Sequence, residues 1–271
     1  PEDAVIVAES GVEGEEQIAL NASHGAKAVL VGEALVRSAD PAATITGYPR
    51  IGRRRELKKA LEAYWAGRST REELESAAAD LQLATHRRLV ELGLGARDSS
   101  LPAAFPLYDQ VLDTTVALGA VPTRFADLAD AEGRLDLDAS FVLARGDAGR
   151  PPLELTKWFD TNYHYLVPEL GPETGFRLAN EWIVENFTAA RQAGFTTRPV
   201  LVGPVSFLLL SKAADDAGAG FEPLSRLADV LPVYAEVLRA LAAAGVEWVQ
   251  LEEPALVADH DLSEGELADA V

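Results

Sequence analysis

Short all-apolar runs alternate with longer, helix-compatible stretches along most of this 271-residue chain. Residues 4–8, 28–31 and 199–204 are the clearest apolar runs. Strands that are apolar on both faces are typical of a parallel sheet covered on both sides. A repeated β-then-α order joins parallel strands through right-handed crossovers. The alternation therefore predicts an α/β fold built on a parallel sheet.

The helical stretches carry recognisable start and stop signals. Residues 56–65 place Leu57 and Leu61 on one face, as an amphipathic helix does. Thr70 and Glu73 have the spacing of a capping box, which predicts a long helix running to residue 92. Further predicted helices cover residues 13–24, residues 227–244 and the chain from about residue 263 onward.

The remaining segments complete about seven β-α units. Predicted strands or strand ends cover residues 44–47, 105–108, 155–159 and 247–251, and residues 119–152 are predicted to be loop-rich. At this length a (β/α) barrel of TIM type is favoured over an open doubly wound sheet. No Gly-x-Gly-x-x-Gly follows a strand, which weakens the dinucleotide-binding alternative. Because a closed barrel needs eight strands, we expect an incomplete or rearranged barrel whose edge strands are covered or paired between chains.

Composition excludes several classes of partner. A net charge of -19 and a pI near 4.6 argue against non-specific nucleic-acid binding and against adsorption to anionic membranes. The chain has no Cys, so it can form neither disulfides nor thiolate metal sites. It has no apolar stretch of ~18 residues and no basic signal-peptide start, so we expect a cytoplasmic protein without a membrane span.

Positive charge is nevertheless concentrated in one place. Six of the 24 Lys and Arg residues lie between Arg50 and Lys59, at a predicted helix start. Cations at a helix N-terminus oppose the helix dipole, typically by ~0.3–1 kcal/mol each, and an anionic ligand would offset that cost. Arginine also pairs with carboxylates in a bidentate manner. The pattern favours an anion site, but a solvated surface with internal ion pairs, such as Glu56 with a nearby arginine, remains open.

Other polar residues sit at predicted strand ends. Lys157 lies where barrel sites are built, although a plain surface lysine explains it equally well. Glu252 and Glu253 could do acid–base work, but a structural role, capping the next element, is favoured. A hydrogen-bonded structural role is likewise favoured for His164. The other histidines, His24, His86 and His260, have no metal-ligand spacing.

Six motifs carry a resemblance to a known family. Residues 44–271 resemble the N-terminal domain of cobalamin-independent methionine synthase. The motifs are residues 47–52 (GYPRIG), 55–59 (RELKK), 108–112 (YDQVL), 156–165 (TKWFDTNYHY), 200–205 (VLVGPV) and 248–251 (WVQL). The chain departs from the family at Glu252, where Asp is usual, and at Leu155, where Met is common.

This resemblance implies a function. The family transfers a methyl group from 5-methyltetrahydropteroyltriglutamate to homocysteine. The segment matching Arg55, Glu56, Leu57 and Lys58, together with the lysine matching Lys157, binds this polyglutamylated methyltetrahydrofolate. The family's zinc, bound by His, Cys and Glu, belongs to its C-terminal domain. We therefore expect no cofactor in this chain and no methyl transfer by the chain alone.

The first 43 residues resemble a different family. Residues 8–12 (AESGV) and 28–36 (AVLVGEALV) are similar to the last two β-α units of indole-3-glycerol-phosphate synthase. The resemblance implies substrate contacts at Glu9 and Ser10. It also implies a phosphate site to which Gly32 and Glu33 contribute, and backbone amides near Gly11 suit the same anion.

The two resemblances together describe a chimera. Both parent families are (β/α)8 barrels, so residues 1–43 and 44–271 are expected to share one barrel domain. The earlier catalytic strands of the synthase have no counterpart, so turnover of its substrate is not expected. A chimeric scaffold without activity is the alternative to a folate-binding domain, and exposed barrel edges would favour a homo-oligomer.

Overall fold

The computed structural model describes residues 6–8, 26–29, 47–159 and 161–258, and for 6–8, 26–29 and 257 it describes the backbone alone. The α-helices within these ranges are α1 (Glu56–Trp65), α2 (Arg71–Glu91), α3 (Gln110–Ala117), α4 (Leu137–Arg145), α5 (Trp182–Gln192), α6 (Pro204–Leu209) and α7 (Leu227–Ala243). Short 3₁₀ helices cover Thr123–Leu128, Pro223–Arg226 and Pro254–Val257. None of the helices in the described ranges combines the length and apolar character that crossing a bilayer requires.

Parallel pairing dominates the sheets. The strands are β1 (Ile6–Ala8), β2 (Ala26–Val29), β3 (Leu101–Ala103), β4 (Leu155–Lys157), β5 (His164–Leu166), β6 (Glu169–Leu170), β7 (Thr197–Val202), β8 (Lys212–Ala213) and β9 (Gln250–Glu252). They form a three-stranded sheet in the order β3-β7-β9 and the pairs β1-β2, β4-β5 and β6-β8. The pairs β1-β2, β3-β7 and β6-β8 are parallel, which confirms the α/β class. The strands of the described residues do not form a closed barrel.

The predicted helices α1 and α2 are confirmed to within a residue at each end. Thr70 Oγ1 accepts a hydrogen bond from the Glu73 amide at 3.2 Å, and Glu73 Oε2 accepts one from the Thr70 amide at 2.8 Å. This capping box starts α2 as the sequence predicts. Helix α7 also matches, ending one residue before the predicted position.

The segment 119–152 is loop-rich, as predicted; it also contains a short 3₁₀ helix and α4, which Asp136 caps by accepting from the Ala139 amide at 2.8 Å. Two other predictions were wrong. Strand β4 pairs with β5 in an antiparallel hairpin and so does not continue the parallel β-α pattern. Strand β9 begins three residues later than expected. The predicted helices at residues 13–24 and from residue 263, and residues 44–46 of a predicted strand, lie outside the described residues.

The chain divides into two compact units. The first comprises the chain up to Leu107 with Ile183–Val200 and Gly245–Gln250, and the second comprises Tyr108–Trp182, Leu201–Ala244 and the chain from Leu251. A core cluster of the first unit contains Leu89, Leu94, Leu101, Ala190 and Phe195. The second unit has two clusters, one that includes Phe207 and Tyr234 and another that includes Phe125 and Leu143. Each unit is therefore assembled from segments that are distant in sequence.

Candidate functional site

The basic segment, residues 50–59, lies in the first unit and spans the start of α1. Arg53, Arg54 and Arg55 precede the helix and are exposed, and Lys58 and Lys59 are exposed within its first turns. The side chain of Leu57 points the other way, with only 1% of its surface exposed. The predicted site residues at 55–58 thus divide into three exposed charged side chains and one core anchor.

The chain reverses sharply just before α1. Gly52 and Arg55 both have left-handed backbone conformations, with φ of 84° and 62°. The Arg55 amide donates to the Gly52 carbonyl at 3.1 Å, and the Leu57 amide donates to the Ile51 carbonyl at 3.1 Å. The left-handed region is unfavourable for a residue with a Cβ, so the turn at Arg55 is held by these bonds against a local cost.

Glu56 supplies the negative charge at this helix start. Its Oε2 accepts a hydrogen bond from the Arg54 amide at 2.9 Å. Bonds from its own amide and from that of Arg54 hold the pKa of the Glu56 carboxyl below its usual value, with further help from the charges of Arg54 and Lys59. The chain's own carboxylate therefore offsets part of the dipole cost that the arginines impose. The principal partner of Glu56 is a backbone amide, whereas the sequence suggested an arginine side chain.

Much of the positive charge is left available. Lys58 pairs with Glu62 at 3.7 Å, but both side chains are about half exposed, and such a pair contributes little. Within the described part of the chain, Arg53 and Arg55 make no ion pair. An exposed cluster of cations on an acidic protein can attract a polyanion by charge and by bidentate hydrogen bonding.

Two contacts anchor the segment that leads into the turn. The Tyr48 hydroxyl lies 3.3 Å from Nε2 of His86 in α2, and Nη1 of Arg50 donates to the Leu107 carbonyl at 3.0 Å. His86 is fully buried, with the ring of Phe195 centred 5.6 Å away. Desolvation by burial lowers the pKa of His86 to about 4, so this histidine is neutral at pH 7. Its role in the structure is to pack and to hold Tyr48.

Lys157 lies in the second unit, at the end of β4. Its side chain is exposed, and it stands opposite His164 in the antiparallel pairing. Nδ1 of His164 lies 3.1 Å from the Asn162 carbonyl, which confirms a hydrogen-bonded histidine. The ring of Trp158 meets Phe159 and Tyr165 edge to face at 5.1 and 5.8 Å. The hairpin thus carries an exposed lysine, Lys157, directly before an aromatic cluster in the sequence.

Glu253 has a structural role, as the sequence favoured. Its Oε1 accepts from the Val205 amide at 3.0 Å and its Oε2 from the Ser206 amide at 2.6 Å. The carboxylate therefore caps α6, which lies nearly fifty residues earlier in the chain, and not the next element as the sequence suggested. Bound in this way, Glu253 is a helix cap, and its oxygens are committed to backbone amides.

The predicted site residues are distributed as follows. Arg55, Glu56, Leu57 and Lys58 are neighbours in the first unit, and Lys157 belongs to the second. The predicted phosphate site lies outside the described residues; it consists of Glu9, Ser10, Gly11, Gly32 and Glu33. Sequence analysis missed Gly52, although a glycine just before an arginine-rich helix start is a usable signal for a tight turn.

Comparison with known proteins defines the class. A family model described as "Cobalamin-independent synthase, N-terminal domain" matches residues 42–271, and an indole-3-glycerol phosphate synthase model matches residues 1–47. The first match covers most of the chain. The chain therefore belongs to the cobalamin-independent synthase N-terminal domain family, and both resemblances seen in the sequence are confirmed.

Three similar proteins carry the name 5-methyltetrahydropteroyltriglutamate–homocysteine methyltransferase. The chain is 54% identical over 223 residues to the protein from Streptomyces coelicolor and 52% identical over 229 residues to that from Mycobacterium tuberculosis H37Rv. It is 50% identical over 218 residues to the Arabidopsis thaliana enzyme 1. These matches cover 82%, 84% and 80% of this chain but only 28%, 29% and 28% of the relatives.

The residues present do not fit the zinc site that the family implies. The chain contains no Cys, and among the described residues no group of three His, Asp or Glu side chains could hold a metal ion.

Proposed function

We propose that this chain binds 5-methyltetrahydropteroyltriglutamate as the folate-binding part of a cobalamin-independent methionine synthase. The observation that carries the proposal is the exposed basic segment at the start of α1, in a chain that belongs to this family. The matched relatives are named for this folate as the methyl donor and homocysteine as the acceptor. The chain spans little more than a quarter of their length, so the activity, the substrate and the partners all belong to the proposal.

The polyglutamate tail is the part of the ligand that the basic segment suits. Each glutamate of the tail adds a carboxylate, and exposed Arg55 and Lys58 offer a bidentate donor and a point charge. By family resemblance, Lys157 in β4 is proposed as a further cation for this ligand. We propose that Arg55, Glu56, Leu57 and Lys58, with Lys157, form the binding segment, and that Leu57 contributes by anchoring the helix.

Calorimetry with folates of different tail length tests this proposal. We expect methyltetrahydrofolate with a triglutamate tail to bind more tightly than the monoglutamate, with an advantage that shrinks as salt is added. Arg55→Ser and Lys58→Ser should lower the triglutamate affinity and leave the monoglutamate affinity nearly unchanged. Arg88→Ser is the matched control, because Arg88 is an exposed cation of the same unit paired with Glu91. Equal affinities for the two folates would contradict the proposal.

The barrel architecture, the cellular location and the oligomeric state are also proposals. We propose that residues 1–43 and 44–271 share one incomplete or rearranged TIM-type barrel of about seven units, supported by the two family matches and the parallel strand pairs. We also propose a cytoplasmic protein that does not bind nucleic acid and that self-associates through barrel edges. Light scattering would report the self-association directly, and a monodisperse monomer would contradict it.

We expect no methyl transfer from these 271 residues by themselves. By family resemblance, homocysteine is activated at a zinc site that includes a cysteine ligand, and the chain has no Cys. An assay with homocysteine, Zn²⁺ and the methylfolate should yield methionine only at the background rate. Product above background would contradict this expectation.

The match of residues 1–47 favours a second candidate, residual phosphate binding. The parallel β1-β2 pair supports it, because the proposed residues Glu9, Ser10 and Gly11 follow β1, and Gly32 and Glu33 follow β2. We expect inorganic phosphate to raise the melting temperature and Gly32→Glu to abolish that rise. An unchanged melting temperature in phosphate would contradict this candidate.

A further inference from the structure

We propose that Glu56 is a positioning residue of the basic segment, whose carboxylate closes the turn that presents Arg53, Arg54 and Arg55 without itself contacting the anionic tail. This inference rests on the proposed function, because the polyglutamate tail is the ligand to which the turn presents its cations. Glu56 therefore acts through the backbone of the arginines that surround it.

The turn is built closely around this carboxylate. Oε2 of Glu56 accepts from the Arg54 amide at 2.9 Å, so the side chain folds back over the two residues before it. A Cβ on Gly52 would overlap Oε2 of Glu56, so only glycine allows this approach. The φ of 84° at Gly52 also favours glycine. The position of the Glu56 carboxylate therefore requires glycine at residue 52.

The Glu56 carboxylate also lies next to a residue with an unfavourable backbone conformation. Arg55 is the N-cap of α1 and has φ of 62° and ψ of 39°, a conformation that residues other than glycine rarely adopt. Tyr48 with His86, and Arg50 with Leu107, hold the chain that leads into the turn. On the exposed side, Glu56 is the side chain that ties the turn to the helix. Removing it would let the arginine-bearing backbone relax toward other conformations.

Charge and positioning predict opposite outcomes at this residue. Glu56 is a carboxylate among cations, so on charge alone its removal should strengthen the binding of an anionic tail. If Glu56 positions the turn, its removal should weaken binding, because fewer molecules then hold the arginines in the competent arrangement. The sign of the change therefore separates the two roles.

The test measures the affinity of four variants for the triglutamate folate. Glu56→Ala removes both the charge and the hydrogen-bond acceptor, whereas Glu56→Gln removes the charge and keeps an acceptor oxygen. Glu62→Ala and Glu62→Gln are matched controls further along the same helix, because Glu62 pairs with Lys58. With the triglutamate folate, we expect Glu56→Ala to weaken binding about five-fold, the size of one net hydrogen bond. Glu56→Gln should restore most of the affinity, and both Glu62 variants should bind as tightly as the parent or more tightly.

Hydrogen exchange of the Arg54 amide provides a readout that needs no ligand. We expect this amide to be protected in the parent and in Glu56→Gln, and to exchange faster in Glu56→Ala, at an unchanged melting temperature. If Glu56→Ala bound the triglutamate folate as tightly as the parent, or if its Arg54 amide exchanged as slowly, the positioning role would be overturned and the proposed function would stand. A parent protein that binds no triglutamate folate would overturn the proposed function, and with it the role of Glu56 in presenting the arginines.

Discussion

At the scale of single residues, a buried carboxylate connects a helix and a strand of the second unit. Asp109 is 1% exposed, and its Oδ1 accepts from the Val111 and Leu112 amides at 2.8 and 3.0 Å. Its Oδ2 accepts from the Leu166 amide of β5 at 3.2 Å. One carboxylate therefore caps α3 and ties that helix to a strand fifty-seven residues away.

We expect Asp109→Ala to lower the free energy of unfolding by about 3 kcal/mol, because three amides lose their acceptor and all three bonds are buried. Asp136→Ala removes an exposed cap that accepts from the Ala139 amide, and should cost only about 1 kcal/mol. Urea unfolding of both variants provides the comparison. Similar losses in the two would show that burial adds nothing at Asp109.

The buried His86 makes stability depend on pH. Its pKa is about 4 in the folded chain and ~6.5 when unfolded, so between these values only the unfolded state binds the proton. The stabilising contribution is complete above about pH 6.5 and is lost as the pH falls toward 4. From about pH 7 to about pH 5 the loss should be roughly 2 kcal/mol.

His86→Gln should remove this part of the pH dependence. The comparison is urea unfolding of the parent and the variant at both pH values, since titrating carboxylates affect the two proteins alike. We expect the stability difference between parent and variant to shrink as the pH is lowered. A difference that stays constant with pH would mean that His86 does not titrate in this range.

At the scale of elements, capping interactions set where helices begin, and some caps are distant in sequence. The box of Thr70 and Glu73 is local, so sequence analysis places the start of α2 correctly. The cap of α6 comes from Glu253, which the spacing of nearby residues does not reveal. Likewise, the β4–β5 hairpin depends on pairing through a turn that has no strong two-residue turn signal.

Gly203→Ala tests the cap of α6. A Cβ at residue 203 would overlap Oε1 of Glu253, so the carboxylate would have to leave the Val205 and Ser206 amides. We expect a loss of roughly 1–3 kcal/mol in the free energy of unfolding. Gly175→Ala is the control, because a Cβ there meets no atom within 4 Å. In a Glu253→Ala background the cost of Gly203→Ala should largely disappear, and additive losses would contradict this account.

At the scale of the whole molecule, charge acts in two opposed ways. The net charge of -19 makes the folded chain repel itself, whereas the basic segment attracts anions locally. Salt screens both effects. Because the net charge repels and the basic segment attracts, added salt should stabilise the fold and weaken binding of the proposed ligand.

We therefore expect sodium chloride to raise the melting temperature while it lowers the affinity for the triglutamate folate. The monoglutamate folate is the control, and its affinity should fall less because it carries fewer carboxylates. Melting curves and calorimetry over the same salt series would measure both quantities. A triglutamate affinity that does not change with salt would argue against binding by the basic segment.

Local patterns in the sequence determined the α/β class, helices α1, α2 and α7, and the family of residues 42–271, because periodicity, caps and motifs are written in neighbouring residues. The charge of the basic segment was equally visible there. Only the tertiary structure decided that Glu56 folds onto the Arg54 amide, that β4 turns back to β5, and that Glu253 and Asp109 bond to residues 48 and 57 positions away. The bonds of Glu253 and Asp109 depend on how distant segments pack. The bond of Glu56 and the return of β4 onto β5 are local, but they depend on backbone geometry that the spacing of residue types does not encode.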